Sequence, residues 1–467
     1  MIRSSFTIRI LPLFLALALI PCSCRKLLEV PTPQDEISAG EVFSNDTNAL
    51  SALTGMYIQI MNNSRSLLNG GITLYGGLSS DELHNIDFPL PNASLDAFRL
   101  NQLSPGNLLC DNLYTNAYNI IYTANSLIAG LAGATGVSAG MRSELRGEAE
   151  FVRALVYFYL VNLYGDVPLV TTTDFNVSSK IGRTPAAGVY AQIVADLQDA
   201  QTVLPVAYIS SSAPGDRTRP NQAAARALLA RVWLYQGNWA AAEQAADSVI
   251  ANPLYLLEPS LDSVFLSTSR EAIWQLQPVY DTIATAEGNL FLPRGGSPPA
   301  DTLTSWLQSS WEAGDLRRLH WTDSVPWRGA VYIYPYKYKQ ANDNAPDAEY
   351  NMVLRLAEVY LIRAEARAQQ DYIGEAAADL NTVRFRAGLP PTGAADQNGL
   401  LGAILQERRV ELFAEWGHRW LDLKRTGQAD AVLTSEKAET WTGDAKLYPI
   451  PATELIYNPK LVQNPGY

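Results

Sequence analysis

Apolar residues recur at the 3.6-residue spacing of a one-sided helix in several separate stretches. The first begins near Asn48 and runs through Leu53, Met56, Tyr57 and Ile60. The pattern returns over residues 111–130 and 142–164, where Gly165-Asp166-Val167-Pro168 stops it. Residues 70–105 are rich in Gly, Pro, Asn and Asp and read as loops.

Later stretches repeat one another. Between Pro220 and Pro253, Ala230, Trp233, Trp239, Ala242, Ala246 and Val249 fall on the packing positions of a tetratricopeptide helix pair, with Gly237-Asn238 as its turn. A second copy occupies residues 355–388, with Ala364, Ala376, Leu380 and Val383 in corresponding places. Residues 142–164 and 186–205 form a third pair split by an insertion. Such pairs bury their faces by stacking on neighbours and build scaffolds or binding surfaces. The predicted fold is mostly α, with tetratricopeptide-like repeats over about 142–253 and 353–425 and few short strands.

Residues 255–348 break this pattern. They are aromatic and Pro/Gly-rich, with a helical period only over 302–311, so Trp306 and Trp311 are expected in a buried helix. Residues 331–338 alternate large side chains as a strand does. A long irregular insertion on a rigid scaffold is where binding residues concentrate.

The N-terminus adds a location. Arg3 and Arg9 bracket the start of an apolar run over 11–20, followed by Pro21-Cys22-Ser23-Cys24. Spanning a bilayer takes roughly 20 apolar residues, so residues 1–23 read as a secretory signal. A cysteine at its end suits lipid attachment; Ser23 favours Cys24, with Cys22 the alternative. Residues 24–40 then form a tether and residues 41–467 a single domain, in which Cys110 has no disulfide partner. The net charge of -12 argues against nucleic acid as a partner.

Catalytic patterns are missing. There is no P-loop, and His84, His320 and His418 lack zinc-ligand spacing. No metal and no cofactor are expected, and no catalytic residue is assigned. Glu407 and Glu411 lie at i, i+4 beside Arg408 and Arg409, which favours salt bridges over a glycosidase pair. Aromatic faces suit sugars, which stack on rings while polar neighbours bond to hydroxyls. Tyr280, Trp321, Trp327 and the ladder Tyr332, Tyr334, Tyr336, Tyr338 are candidate platforms, with Trp321 and Trp327 preferred because their segment is turn-rich.

Longer motifs are more specific. They include Leu163-Tyr164-Gly165-Asp166-Val167-Pro168-Leu169, Gly314-Asp315-Leu316-Arg317 and Arg384-Phe385-Arg386-Ala387-Gly388. Glu407-Arg408-Arg409-Val410-Glu411, Gly417-His418-Arg419-Trp420-Leu421-Asp422 and the closing Asn464-Pro465-Gly466-Tyr467 follow in order. Together they resemble the SusD/RagB family of outer-membrane lipoproteins of the Bacteroidetes. The resemblance implies a cell-surface lid on a SusC-like TonB-dependent porin that captures oligosaccharide, or in some members peptide. It implies that Arg408, Arg409, Glu411, Arg419 and Asp422 form an internal network locking the C-terminal helices. It puts ligand residues in two variable regions, about 75–104 and 278–327. The candidates there are Asp81, His84, Asn85 and Phe88 in the first, and Tyr280, Trp321 and Trp327 in the second. A helical adaptor of the porin complex that binds nothing else, and a hydrolase within the insertion, are the competing readings.

Overall fold

Asparagine and aspartate side chains begin many of the helices, each satisfying an amide that the first turn leaves unpaired. Asn45, Asn107, Asn221 and Asp396 do so at four of them. The computed structural model describes residues 39–86, 90–208, 216–279, 284–341 and 348–467. The signal, most of the tether, Cys22, Cys24, Phe88 and Tyr280 lie outside the described residues. The long helices up to the insertion are α1 (Asp46–Met61), α2 (Gly71–Ser79), α3 (Leu108–Ala132), α4 (Ala139–Tyr164), α5 (Ala186–Val203), α6 (Gln222–Tyr235) and α7 (Trp239–Ile250). After it come α8 (Leu356–Gln369), α9 (Ile373–Arg386), α10 (Gln397–Glu411) and α11 (His418–Arg425). Among the described residues no helix is long and apolar enough to cross a membrane.

The three expected pairs are present as α4 with α5, α6 with α7 and α8 with α9. Ala230, Ala242, Ala246, Ala364 and Ala376 are fully buried, so the small residues sit where helices approach closely. Gly237 adopts φ 69° between α6 and α7, and Asn238 caps the next helix.

Residues 70–105 are not all loop, which corrects the sequence reading. They contain α2, buried along its whole length, and a short helix at Ala93–Arg99. The glycines of α2 serve packing. A Cβ on Gly76 would lie 2.8 Å from the Cα of Gly417, and one on Gly77 2.5 Å from Leu83.

The strands are short: β1 (Leu83–Asn85), β2 (Ala272–Leu276), β3 (Asp301–Leu303), β4 (Thr322–Trp327), β5 (Ala330–Pro335) and β6 (Asn351–Arg355). They pair antiparallel as β1 with β3, β2 with β6 and β4 with β5. The expected helix over 302–311 is instead β3 and one turn at Ser305–Gln308. One turn is too short to bury both indoles. Trp311 is buried, whereas Trp306 is 40% exposed. The segment around Trp327 is the first strand of a hairpin closed by Arg328-Gly329, both at positive φ.

Candidate functional site

β1 pairs His84 with Thr302 and Asn85 with Asp301 of β3, and β3 packs beside β5. A cleft of about 320 Å³ opens there, lined by His84, Asn85, Ile86, Thr302, Leu303, Gln308, Val331, Tyr332 and Ile333. The two variable regions named from sequence therefore meet at one place, although Asn85 and Asp301 are 216 residues apart.

His84 is exposed on the cleft wall. Asn85 is buried, and its side-chain amide donates to Asp301 Oδ1 at 2.9 Å. Burial pushes the Asp301 carboxyl above the usual range, and that hydrogen bond only partly offsets it. Trp327 is half-buried and meets Tyr332 edge-on, ring centroids 6.1 Å apart. Tyr332 thus shares the cleft with polar groups from two other strands, and Trp327 packs against its ring. Tyr332 was named from sequence as part of the tyrosine ladder over 331–338, whereas Thr302 and Gln308 were not singled out. Tyr338 of the same ladder is core, its hydroxyl accepting from the Met352 amide at 2.9 Å.

Two candidates are corrected, one of them the preferred Trp321. Trp321 is 0% exposed and donates its indole N–H to the Leu261 carbonyl at 3.0 Å. Lys337 Nζ sits 4.7 Å from its ring centroid, so no ligand can stack on it. Asp81 is likewise fully buried, bound by Arg419 at 2.7 Å and Arg409 at 2.5 Å. Burial alone would raise its carboxyl, but the Arg419 and Arg409 guanidiniums outweigh this and hold it below the usual range. It belongs with the structural charges.

Those charges form three clusters. Arg409 and Arg419 hold Asp81. Arg408 and Arg425 each reach Asp422 at 2.7 Å, and Arg425 also holds Glu365, which ties α8, α10 and α11 together. Glu411 accepts from Arg317 at 2.8 Å, Arg355 at 2.5 Å and Arg386. Around it, Arg355 also reaches Glu271 and Glu415, and Arg317 reaches Asp315 and Glu407. The carboxylates Glu407 and Glu411 are therefore ion-paired, and no cluster among the described residues is placed to hold a metal.

Glu82 is different. Burial, and then the neighbouring Asp81 charge, push its carboxyl up to about 8, and its Oε1 has no hydrogen-bond partner. A carboxyl raised in the fold contributes stability that is full below its unfolded range and is lost as pH climbs through about 8. Glu82→Gln cannot ionise. Its unfolding midpoint should match the parent near pH 5 and exceed it near pH 8.5, by on the order of 2 kcal/mol. Urea titrations at the two pH values check this; equal midpoints at both would refute it.

Comparison with known proteins places these features in context. A model described as SusD family matches residues 308–467, and one described as starch-binding associating with outer membrane matches residues 82–234. A SusD-like protein of Formosa agariphila is 28% identical, covering 97% of this chain and 99% of its own length. A solved structure described as a laminarin-binding SusD-like protein is 26% identical, with TM-score 0.76 over 91% of this chain and all (100%) of its own. A SusD superfamily structure from Parabacteroides distasonis has the same fold, with TM-score 0.78 at 23% identity over 92% of this chain and 100% of its own.

Proposed function

Since the chain belongs to the SusD/RagB family, we propose that it captures oligosaccharide in the cleft between β1, β3 and the β4–β5 hairpin. The observation that carries this is the meeting of Tyr332 with His84, Asn85, Thr302 and Gln308 in one opening, with Trp327 edge-on against the Tyr332 ring. Sugar rings present an apolar face to aromatics and an edge of hydroxyls to such polar groups. The 26% identical relative described as laminarin-binding supports a glycan over a peptide.

The family points to association with the outer membrane. On our reading residues 1–23 direct export, a lipid on Cys24 anchors the mature chain, and the bound glycan passes to a SusC-like TonB-dependent porin. The protein holds its ligand without turning it over. Glu407 and Glu411 are committed to ion pairs, and Asp301 beside the cleft is bonded to Asn85.

Calorimetric titration of the chain from Arg25 onward tests this, using panels of oligosaccharides and peptides with analysis of products over time. Saturable binding of glycans without product is expected. Binding of peptides alone would support the peptide-binding alternative, and binding of neither would favour the adaptor. Product that accumulates and is lost on replacing a carboxylate would make the protein a hydrolase.

A further inference from the structure

The hairpin that walls the cleft ends in a residue whose charge a neutral sugar would leave unused. Arg328 has φ 50° and Gly329 φ 85°, the two left-handed positions of a two-residue type I′ turn. Glycine, asparagine and aspartate fit such positions readily, whereas a long side chain occupies them under strain. Here the strained residue caps the hairpin whose second strand lines the cleft through Val331, Tyr332 and Ile333. The Arg328 guanidinium carbon lies 4.0 Å from the centroid of the Trp327 ring, and Trp327 in turn contacts Tyr332 on the cleft wall.

The charge is also uncompensated. Among the described residues the Arg328 guanidinium makes no ion pair, and it lies over the Trp327 indole. This stands out in a chain of net charge -12. None of the nine residues lining the cleft is a carboxylate. The acids nearby are occupied: Asp301 is buried and bonded to Asn85, and Asp323 accepts from the Tyr334 hydroxyl at 3.0 Å. A further exposed cation, Arg65, opposes the burial effect on Asp301 through its charge. A guanidinium stacked on an indole keeps its in-plane N–H groups free, a geometry matched to the paired oxygens of a carboxylate or sulfate.

We propose that the glycan taken by this cleft carries an anionic group, a uronate carboxylate or a sulfate ester, and that Arg328 is the residue that reads it. The inference rests on the cleft being the glycan site. Its test uses Arg328→Asn, because asparagine suits the turn and should leave the melting temperature unchanged or higher. Arg328→Lys keeps the charge without the planar fork. The parent and both variants are titrated with an oligogalacturonide, a sulfated oligosaccharide and a neutral laminari-oligosaccharide, in low and high salt.

An acidic probe should bind best and weaken with salt. Arg328→Asn should lose about tenfold or more of that affinity, with Arg328→Lys in between. Which acidic probe responds separates carboxylate from sulfate. Neutral glycan bound as tightly as acidic, with neither variant affected, would overturn the anion assignment and leave the cleft reading standing. No glycan bound at all would overturn both. A lower melting temperature for Arg328→Asn with unchanged affinity would make Arg328 a structural residue and also overturn the proposal.

Discussion

Replacing Glu411 by alanine should destabilise the protein by about 3–5 kcal/mol, enough to remove a large share of its folding free energy. Glu411 is 0% exposed and receives three guanidiniums, from Arg317, Arg355 and Arg386. Deleting it leaves those cations buried, with Asp315, Glu271, Glu407 and Glu415 to share among them. Removing one partner of a buried ionic cluster costs far more than the pair contributes net, because the remaining charge stays desolvated. Glu411→Gln keeps the volume and loses the charge, so it should fall between the parent and alanine. The pH dependence follows with a definite sign. Burial raises the Glu411 carboxyl, but the Arg386, Arg355 and Arg317 charges outweigh it and hold it well below the usual range. Its contribution is therefore present above about pH 4.3 and is lost as pH falls further. Urea midpoints at pH 7 should separate parent from Glu411→Gln widely, and those near pH 3 should separate them less. Equal midpoints at pH 7 would show that the cluster does not hold the C-terminal helices.

The second large effect concerns binding. Trp327→Ala and Tyr332→Ala should each weaken glycan binding about tenfold, and the double variant should abolish measurable binding. Both rings are half-buried on a hairpin, so circular dichroism should be unchanged and the melting temperature should move little. Trp321→Ala should behave in the opposite way. Its indole is fully buried and hydrogen-bonded to Leu261, and its loss should cost about 3–5 kcal/mol of stability. Calorimetry and thermal melts on the same preparations distinguish the two tryptophans. Normal binding by both Trp327→Ala and Tyr332→Ala would remove this pair as the platform.

Those two tryptophans, six positions apart, show where the sequence could be read and where it could not. The helix pairs left a periodic trace, because alanines such as Ala230 and Ala364 must recur where helices touch. The charged motifs at Arg408, Arg409, Glu411, Arg419 and Asp422 also pointed inward, where the ion pairs are found. Their partners left no such trace. Arg355 meets Glu271 from 84 residues away, and a pairing of that kind is fixed by packing alone. The glycines of α2 suggested a loop because composition does not distinguish a turn from a close helix contact. β4 was hidden for a related reason. Thr322-Asp323-Ser324-Val325-Pro326-Trp327 has little apolar alternation, and Pro326 is tolerated only because the strand pairs with β5 alone. Without the strand, nothing separated the buried Trp321 from the half-buried Trp327 that packs against Tyr332. The convergence of His84 and Thr302 was legible only as two variable regions, not as one opening.

A crystal structure of the chain from Arg25 onward, bound to an oligosaccharide that it holds in solution, bears most directly on the site. A sugar ring between His84 and Asn85 on one side and Tyr332 and Trp327 on the other is the predicted result. A sugar seated elsewhere, such as the cavity of about 520 Å³ bordered by Tyr235, Trp239, Leu401 and Arg425, with the cleft unoccupied, would contradict it.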